Sequence, residues 1–277
     1  MITAMRIRRR LILRRLAGGG AIFCTFLADV GRSLAQTAPV GSAASGPLPL
    51  VILDPGHGGR DPGTTGVTGT LEKDVTLASG LALKTALEAR GCYRVELTRT
   101  EDQYISREDR VDMTRTLGAH LFLSLHADRL SNASVRGASV YTLAKRASDA
   151  ETEALANREN GLVPGDDNHA GTVAPEVSEI LASLALRETR VASTRMARQL
   201  VRDMERDLPV LPTPERHANF TVLHAAGIPS VLIEMGFLSN PGDEAALKDP
   251  AHRELIARSV ARAVDAWFAV TRASGPA

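Results

Sequence analysis

Three features of this 277-residue chain predict an α/β fold with a single open, mainly parallel sheet flanked by helices on both faces. Short apolar runs recur and are separated by amphipathic stretches of helix length, as expected for strands covered on both sides. Three of the runs end in a side chain that can ligate or exchange a proton: LVILDPGH at His57, HLFLSLH at His126 and PSVLIE at Glu234. Open α/β sheets keep their sites at the carboxyl ends of such strands. An apolar content of 44% is ample for a core.

Leu50–Asp54 reads as the first strand, ending in the glycine-rich DPGHGGRDPGTTG. Glu72–Arg90 follows as an amphipathic helix stopped by Gly91, then Tyr93–Thr98 as a strand. Ile105–Leu117 is helical, with Ser106 a candidate N-cap and Gly118 a stop. Strands are expected at His120–Leu125 and Ala138–Leu143. From Ala144 to Pro214 the alternation breaks. Ser148–Asn160 reads as a charged, alanine-rich helix, Gly161–Pro175 as a polar, turn-rich stretch, and Val177–Leu208 as a long helix with Met196, Leu200 and Met204 on its apolar stripe. Some 70 residues between two strands exceed what a crossover needs, which points to a separate task. A strand over Pro229–Glu234, a turn at Asn240-Pro241-Gly242 and a helix over His252–Val270 complete the pattern, and residues 271–277 form a tail.

The first 35 residues are of another kind. Arg6, Arg8, Arg9, Arg10, Arg14 and Arg15 precede an apolar stretch, Leu16–Ala28, and then Ser33-Leu34-Ala35. Basic region, hydrophobic region and small-x-small site are the anatomy of a cleaved secretory signal, so export to the periplasm with cleavage near Ala35 is expected. The paired arginines resemble a twin-arginine signal, with an arginine-rich Sec signal as the alternative. The apolar stretch is short for a membrane span, and Cys24 lacks a preceding small residue, so no permanent anchor is expected. Removing the leader, with its seven arginines and Asp29, takes the formal charge from +1 to about −5. Such a chain has no electrostatic footprint for nucleic acid. Only Cys92 remains, so an internal disulfide is excluded. Gln36–Pro49 is a tether rich in Ala, Gly, Ser and Pro. A monomer is expected.

His57, Glu72, His126 and Glu234 form the candidate site. Two imidazoles and a carboxylate can hold Zn²⁺ while leaving a coordination position for water, and a second carboxylate can take a proton. Each residue alone has an ordinary explanation; Glu72, for example, suits the first turn of a helix through the macrodipole. Glu234 at the end of an apolar strand is harder to explain away, because an unpartnered buried carboxylate is costly. Residue chemistry leaves open which glutamate ligates and which moves the proton.

The ordered motifs VILDPGHGGRDPGTTG, LEKDVTLASGLALKTALEARG, VELTRTEDQYISREDRVDMTRTLGAHLFLSLHADR, GASVYTL and IPSVLIEMGFLSNPGDE resemble the zinc-dependent N-acetylmuramoyl-L-alanine amidases of bacterial cell-wall remodelling over Leu50 to about Phe268. The resemblance implies a six-stranded sheet, one Zn²⁺ held by His57, Glu72 and His126, and Glu234 as the catalytic glutamate. It implies hydrolysis of the amide between N-acetylmuramic acid and L-alanine in peptidoglycan. The competing readings are a zinc carboxypeptidase or aminopeptidase on a related scaffold and a non-catalytic wall-binding protein.

Residues 148–186, with ALANREN and the start of PEVSEILASLALRETR, resemble the regulatory insertion of the septal members of this family. There an inserted helix occludes the metal cleft and adds a carboxylate until an activator protein displaces it. Glu159 is the candidate for that carboxylate, with Glu151, Glu153 and Asp166 as open alternatives. His169, His217 and His224 are expected in surface or supporting roles. Some relatives carry an N-terminal wall-targeting domain that the tether leaves no room for, so recruitment is expected to rest on the catalytic domain or a partner.

Overall fold

A computed structural model describes residues 47–161, 179–225 and 227–273 of the chain. The expected leader, the tether before Pro47, Asp166, His169 and the last four residues lie outside the described residues. The elements in order are β1 (Leu50–Pro55), α1 (Glu72–Glu88), β2 (Arg94–Leu97), α2 (Arg107–Thr116), β3 (Leu121–His126), β4 (Ala138–Leu143), α3 (Ala150–Glu159), α4 (Glu179–Met204), β5 (Val210–Ala218), β6 (Ser230–Glu234), α5 (Pro241–Lys248) and α6 (Pro250–Ala273).

The six strands form one sheet in the order β2-β1-β3-β6-β4-β5. All neighbouring pairs are parallel except β4 with β6. The mainly parallel, open sheet is therefore as expected, with β4 and β5 running opposite to the other four. Alternate residues of each strand face opposite layers. Val51 and Leu53 of β1, Leu123 of β3 and Ile233 of β6 meet Leu83, Leu200 and Val260 from α1, α4 and α6. Leu50, Ile52, Phe122 and Leu232 face the other way, onto Val111 of α2, Leu155 of α3 and Phe220. Every residue of β1, β3 and β6 is buried, so unbroken apolar runs are what these positions require.

Two expectations change. The stretch between β4 and the next strand is shorter than the roughly 70 residues expected, because β5 begins at Val210 and contains Pro212 and Pro214. Proline cannot donate to a ladder and is tolerated at a sheet edge, which is where β5 lies. Its mixed polarity and prolines hide it from periodicity. The turn at Asn240 proves to be the start of α5: the Asn240 side chain accepts from the Gly242 and Asp243 amides, and Pro241 takes the first helical position. Ser106 caps α2 as expected, accepting from the Asp109 amide.

A buried ionic cluster joins the central strands to the loop after β1. Asp54 accepts from Arg110 Nη1 at 2.6 Å, Thr98 Oγ1 at 2.6 Å and Ser124 Oγ at 2.7 Å. Arg110 also donates to the carbonyls of Pro55 at 2.9 Å and His57 at 2.7 Å. Arg99 donates to the carbonyls of Pro55 and Gly56, both at 2.9 Å, and of Lys73 at 2.8 Å. Burial pushes the Asp54 carboxyl up, but Arg110 and the two hydroxyls outweigh it and hold the pKa below the ordinary value of 3.8.

Replacing Arg110 with methionine leaves a buried carboxylate without its counter-charge, and a loss of about 3–5 kcal/mol is expected, measured as a lower urea midpoint. In the unchanged chain this contribution is fully present above the ordinary aspartate pKa and is lost as the pH falls through the depressed folded value. An R110M midpoint equal to that of the unchanged chain would show that the pair does not hold the strands together.

Candidate metal centre

His57, His126 and Glu234 stand at the carboxyl ends of β1, β3 and β6, three neighbours in the sheet. The parallel register sets His126 beside Glu234 on adjacent strands. His57 lies two residues beyond β1 with φ of 61°, the one non-glycine residue at positive φ among the described residues. Such a backbone costs of order 1–3 kcal/mol and persists only where surroundings enforce it. Arg110 grips its carbonyl from below, and Asp61 Oδ2 lies 2.9 Å from its Nδ1. With the Nδ1 proton directed at Asp61, Nε2 presents its lone pair to the pocket.

Glu72, the first residue of α1, is fully buried. Its Oε2 accepts from the Thr64 amide and its Oε1 from the Ala127 amide, both at 2.8 Å. The same two oxygens face the imidazoles, Oε2 at 3.2 Å from His57 Nε2 and Oε1 at 3.2 Å from His126 Nδ1. Glu159, the last residue of α3, brings Oε2 to 3.1 Å from His126 Nδ1 and 3.6 Å from His57 Nε2. One donor atom from each of these four residues lies within 4.8 Å of all the others.

The fit of a cation follows from this geometry. His57 Nε2 is buried and makes no hydrogen bond, an arrangement that is unfavourable unless something takes the lone pair. Imidazole nitrogens and carboxylate oxygens converging on one point, with Asp61 orienting one ring, suit a borderline cation such as Zn²⁺. Burial resists protonation of both rings, yet Glu72 and Glu159 overcome it and raise both pKa values. Burial likewise pushes Glu72 up, and the two imidazoles more than offset that, leaving it well below the usual carboxylate range.

Glu234 is fully buried. Its Oε2 accepts from the Asp128 amide at 3.0 Å, and its Oε1 has no hydrogen-bond partner. Burial, then the charges of Glu72, Asp128 and Glu159, raise its pKa well above normal. Asp128, which residue chemistry did not single out, is pushed up to about 6 by burial and by Glu159 and Glu72. Thr64 Oγ1 and Arg158 Nε donate to it. Its place two residues past His126 was the available signal.

Two glycines are required by the packing. A Cβ on Gly56 would lie 2.4 Å from the His126 ring, and one on Gly63, at φ +65°, would lie 2.7 Å from both Glu72 Oε2 and the His57 ring. Of the alternatives to Glu159, Glu151 is bonded to Ser131 and Glu153 is exposed. His224 pairs with Asn219, and the backbone of His217 bonds to Ser148. Two cavities flank the cluster, one of about 30 Å³ bounded by Tyr104, Arg110 and Phe220, the other of about 260 Å³ bounded by Arg60, Thr64 and Arg158.

The family model described as N-acetylmuramoyl-L-alanine amidase matches residues 51–266. The chain belongs to this family. The amidase AmiA of Salmonella typhimurium is 35% identical over 243 residues, covering 86% of this chain and 81% of its own. Among solved structures, an N-acetylmuramoyl-L-alanine amidase from Clostridium difficile 630 superposes with a TM-score of 0.60 at 22% identity, over 80% of this chain and 97% of that one. The CwlD amidase of Clostridioides difficile, solved in complex with the GerS lipoprotein, gives 0.58 at 23% identity, over 80% and 99%. Membership selects the amidase among the three activities weighed from sequence, and peptidoglycan is its substrate.

Gly63→Ala in this amidase is expected to lower peptidoglycan hydrolysis by about a hundredfold while the thermal unfolding transition stays cooperative. Turnover at the level of the unchanged chain would show that the Glu72–His57 geometry tolerates displacement.

Proposed function

We propose that this amidase works with one Zn²⁺ held by His57, Glu72 and His126, that Glu234 is its acid–base residue, and that α3 holds the site closed through Glu159. The observation that carries the reading is the convergence of donors from β1, α1 and β3 on a buried, unbonded His57 Nε2, beside an equally buried and unbonded Glu234 Oε1. Zinc when bound supplies Lewis-acid polarisation and makes water a better nucleophile near neutral pH. The remaining work belongs to the protein. Asp61 fixes the His57 tautomer, and the Thr64 and Ala127 amides fix the Glu72 carboxylate. The Asp128 amide holds Glu234 Oε2 and leaves Oε1 without a protein partner. Oε1 takes the proton of the attacking water and returns it to the L-alanine nitrogen as the amide C–N bond breaks. The products are the lactyl carboxylate of N-acetylmuramic acid and a stem peptide with a free amine.

Glu159 lies against both imidazoles and borders both cavities that flank the cluster. A carboxylate tethered in the same chain acts at roughly millimolar effective concentration, enough to exclude dilute substrate. Leu155 and Ala156 seat the helix on the core, so opening needs a partner that binds the open state better by a few kcal/mol. The complex of the CwlD amidase with a lipoprotein supports the idea that this fold accepts such a partner. The arginine-rich leader supports action in the periplasm after export, and no helix among the described residues is long and apolar enough to cross a membrane. We place the monomeric enzyme in cell-wall remodelling at daughter-cell separation.

Glu234→Gln is expected to retain one zinc per chain by elemental analysis while murein hydrolysis falls by about 10²–10⁴-fold; His126→Ala is expected to lose the metal as well. Zinc content unaffected by H126A, or hydrolysis unaffected by E234Q, would overturn the assignment of that residue. Removing residues 151–183, or replacing Glu159 with alanine, is expected to raise basal hydrolysis several-fold, and a folded variant no more active than the unchanged chain would count against closure by α3.

A further inference from the structure

Arg107 is the first residue of α2, directly after the Ser106 cap. Its guanidinium reaches the end of α3, where Nη2 donates to the Gly161 carbonyl at 2.6 Å and the Asn160 carbonyl at 3.3 Å. Other arginines around the site hold carboxylates: Arg110 holds Asp54, and Arg158 holds Asp128. Arg107 makes no ion pair among the described residues and is held there by two carbonyl oxygens. Its position is central, since Arg107, His57 and Glu159 border both cavities beside the donor cluster.

Asn160 is the cap residue that ends α3, and Gly161 follows it. The last carbonyls of a helix lack intrahelical partners and carry partial negative charge, equivalent to about half an elementary charge at the terminus. Two carbonyl oxygens on one guanidinium nitrogen offer Arg107 what a carboxylate offers, only more weakly. Asn160 and Gly161 directly follow α3, so withdrawal of the helix, which carries Arg158 and Glu159 with it, takes both acceptors away and leaves the guanidinium on the wall of the opened cleft with His57 and Arg60. Of the acids that stay on that wall, Asp61 is engaged by His57 and Asp128 keeps the Thr64 hydroxyl when Arg158 leaves with α3.

We propose that Arg107 selects the substrate by binding the stem-peptide carboxylate nearest the scissile amide, a place taken by the carbonyls of Asn160 and Gly161 while α3 is closed. This rests on the closing role of α3 given above. It makes substrate and inhibitory helix competitors for one guanidinium as well as for the metal cleft.

The test uses the zinc-loaded full chain and two soluble N-acetylmuramoyl peptides, identical except that the residue after L-alanine bears a free carboxylate in one and a carboxamide in the other. The unchanged chain is expected to favour the carboxylate by about tenfold in kcat/KM, the scale of a hydrogen bond to a charged group. Arg107→Gln is expected to bring that ratio to about one, and Arg107→Lys to keep a reduced preference. Loosening α3 changes turnover of both substrates alike, so the ratio reports recognition even where losing the Gly161 contact raises basal activity. No preference in the unchanged chain, or an undiminished preference in R107Q, would overturn the proposal. Failure of the closing role shows elsewhere, as a Glu159→Ala variant no faster than the unchanged chain, and leaves the ratio readable.

Discussion

Asp54 is the carboxylate around which the catalytic end of the sheet is arranged. It lies in a fully buried strand, and its partners come from α2, β3 and the end of β2. An ionised group at that depth is tolerable only when every lone pair is used. Meeting that demand brings Arg110 under the loop, where its remaining donors hold the Pro55 and His57 carbonyls. The left-handed backbone of His57 is thus fixed by a charge pair outside the reaction. Arg99 adds donors to the Pro55 and Gly56 carbonyls and ties in Lys73 of α1, the neighbour of Glu72. The Asp54–Arg110 pair and Arg99 together therefore set the relative positions of two of the three candidate ligands.

The residues at the strand ends were legible in the sequence because unbroken apolar runs have one natural place in a parallel sheet, and a polar residue ending such a run must emerge at its edge. His57, His126 and Glu234 were found in that way. Glu72 was found as the residue opening a helix after a glycine-rich loop. β5 was not legible, since an edge strand with Pro212 and Pro214 faces neither demand that makes central strands recognisable. The start of α5 was read as a turn because Asn-Pro-Gly serves equally as a cap and a bend, and only the side-chain bonds of Asn240 decide between them. Asp61, Asp128 and Arg158 escaped attention because their importance comes from what they touch across the fold.

The choice among the acids of the inserted segment was also beyond periodicity. Glu151, Glu153 and Glu159 lie on one short helix, and the distinction is where that helix ends. Packing of Leu155 on the core sets its axis, and the bonds of Asn160 to the Asn219 carbonyl and the Thr221 amide stop it against the wall of the cleft. Glu159 is consequently delivered by a helix terminus clamped on several sides. The clamp is polar and partly solvated, so it can be exchanged for other contacts at moderate cost, whereas the apolar seating of Leu155 resists spontaneous release.

The positive φ of His57 narrows the evolutionary routes open to this centre. Few side chains accept that backbone readily, chiefly glycine and, at some cost, asparagine, aspartate and histidine, and the first cannot ligate at all. β-branched replacements are barred by sterics alone, before any question of affinity. Drift toward another metal preference is therefore far more accessible at position 72 or 126, in ordinary helix and strand conformations, than at position 57. The loop acts as a ratchet on the identity of its histidine.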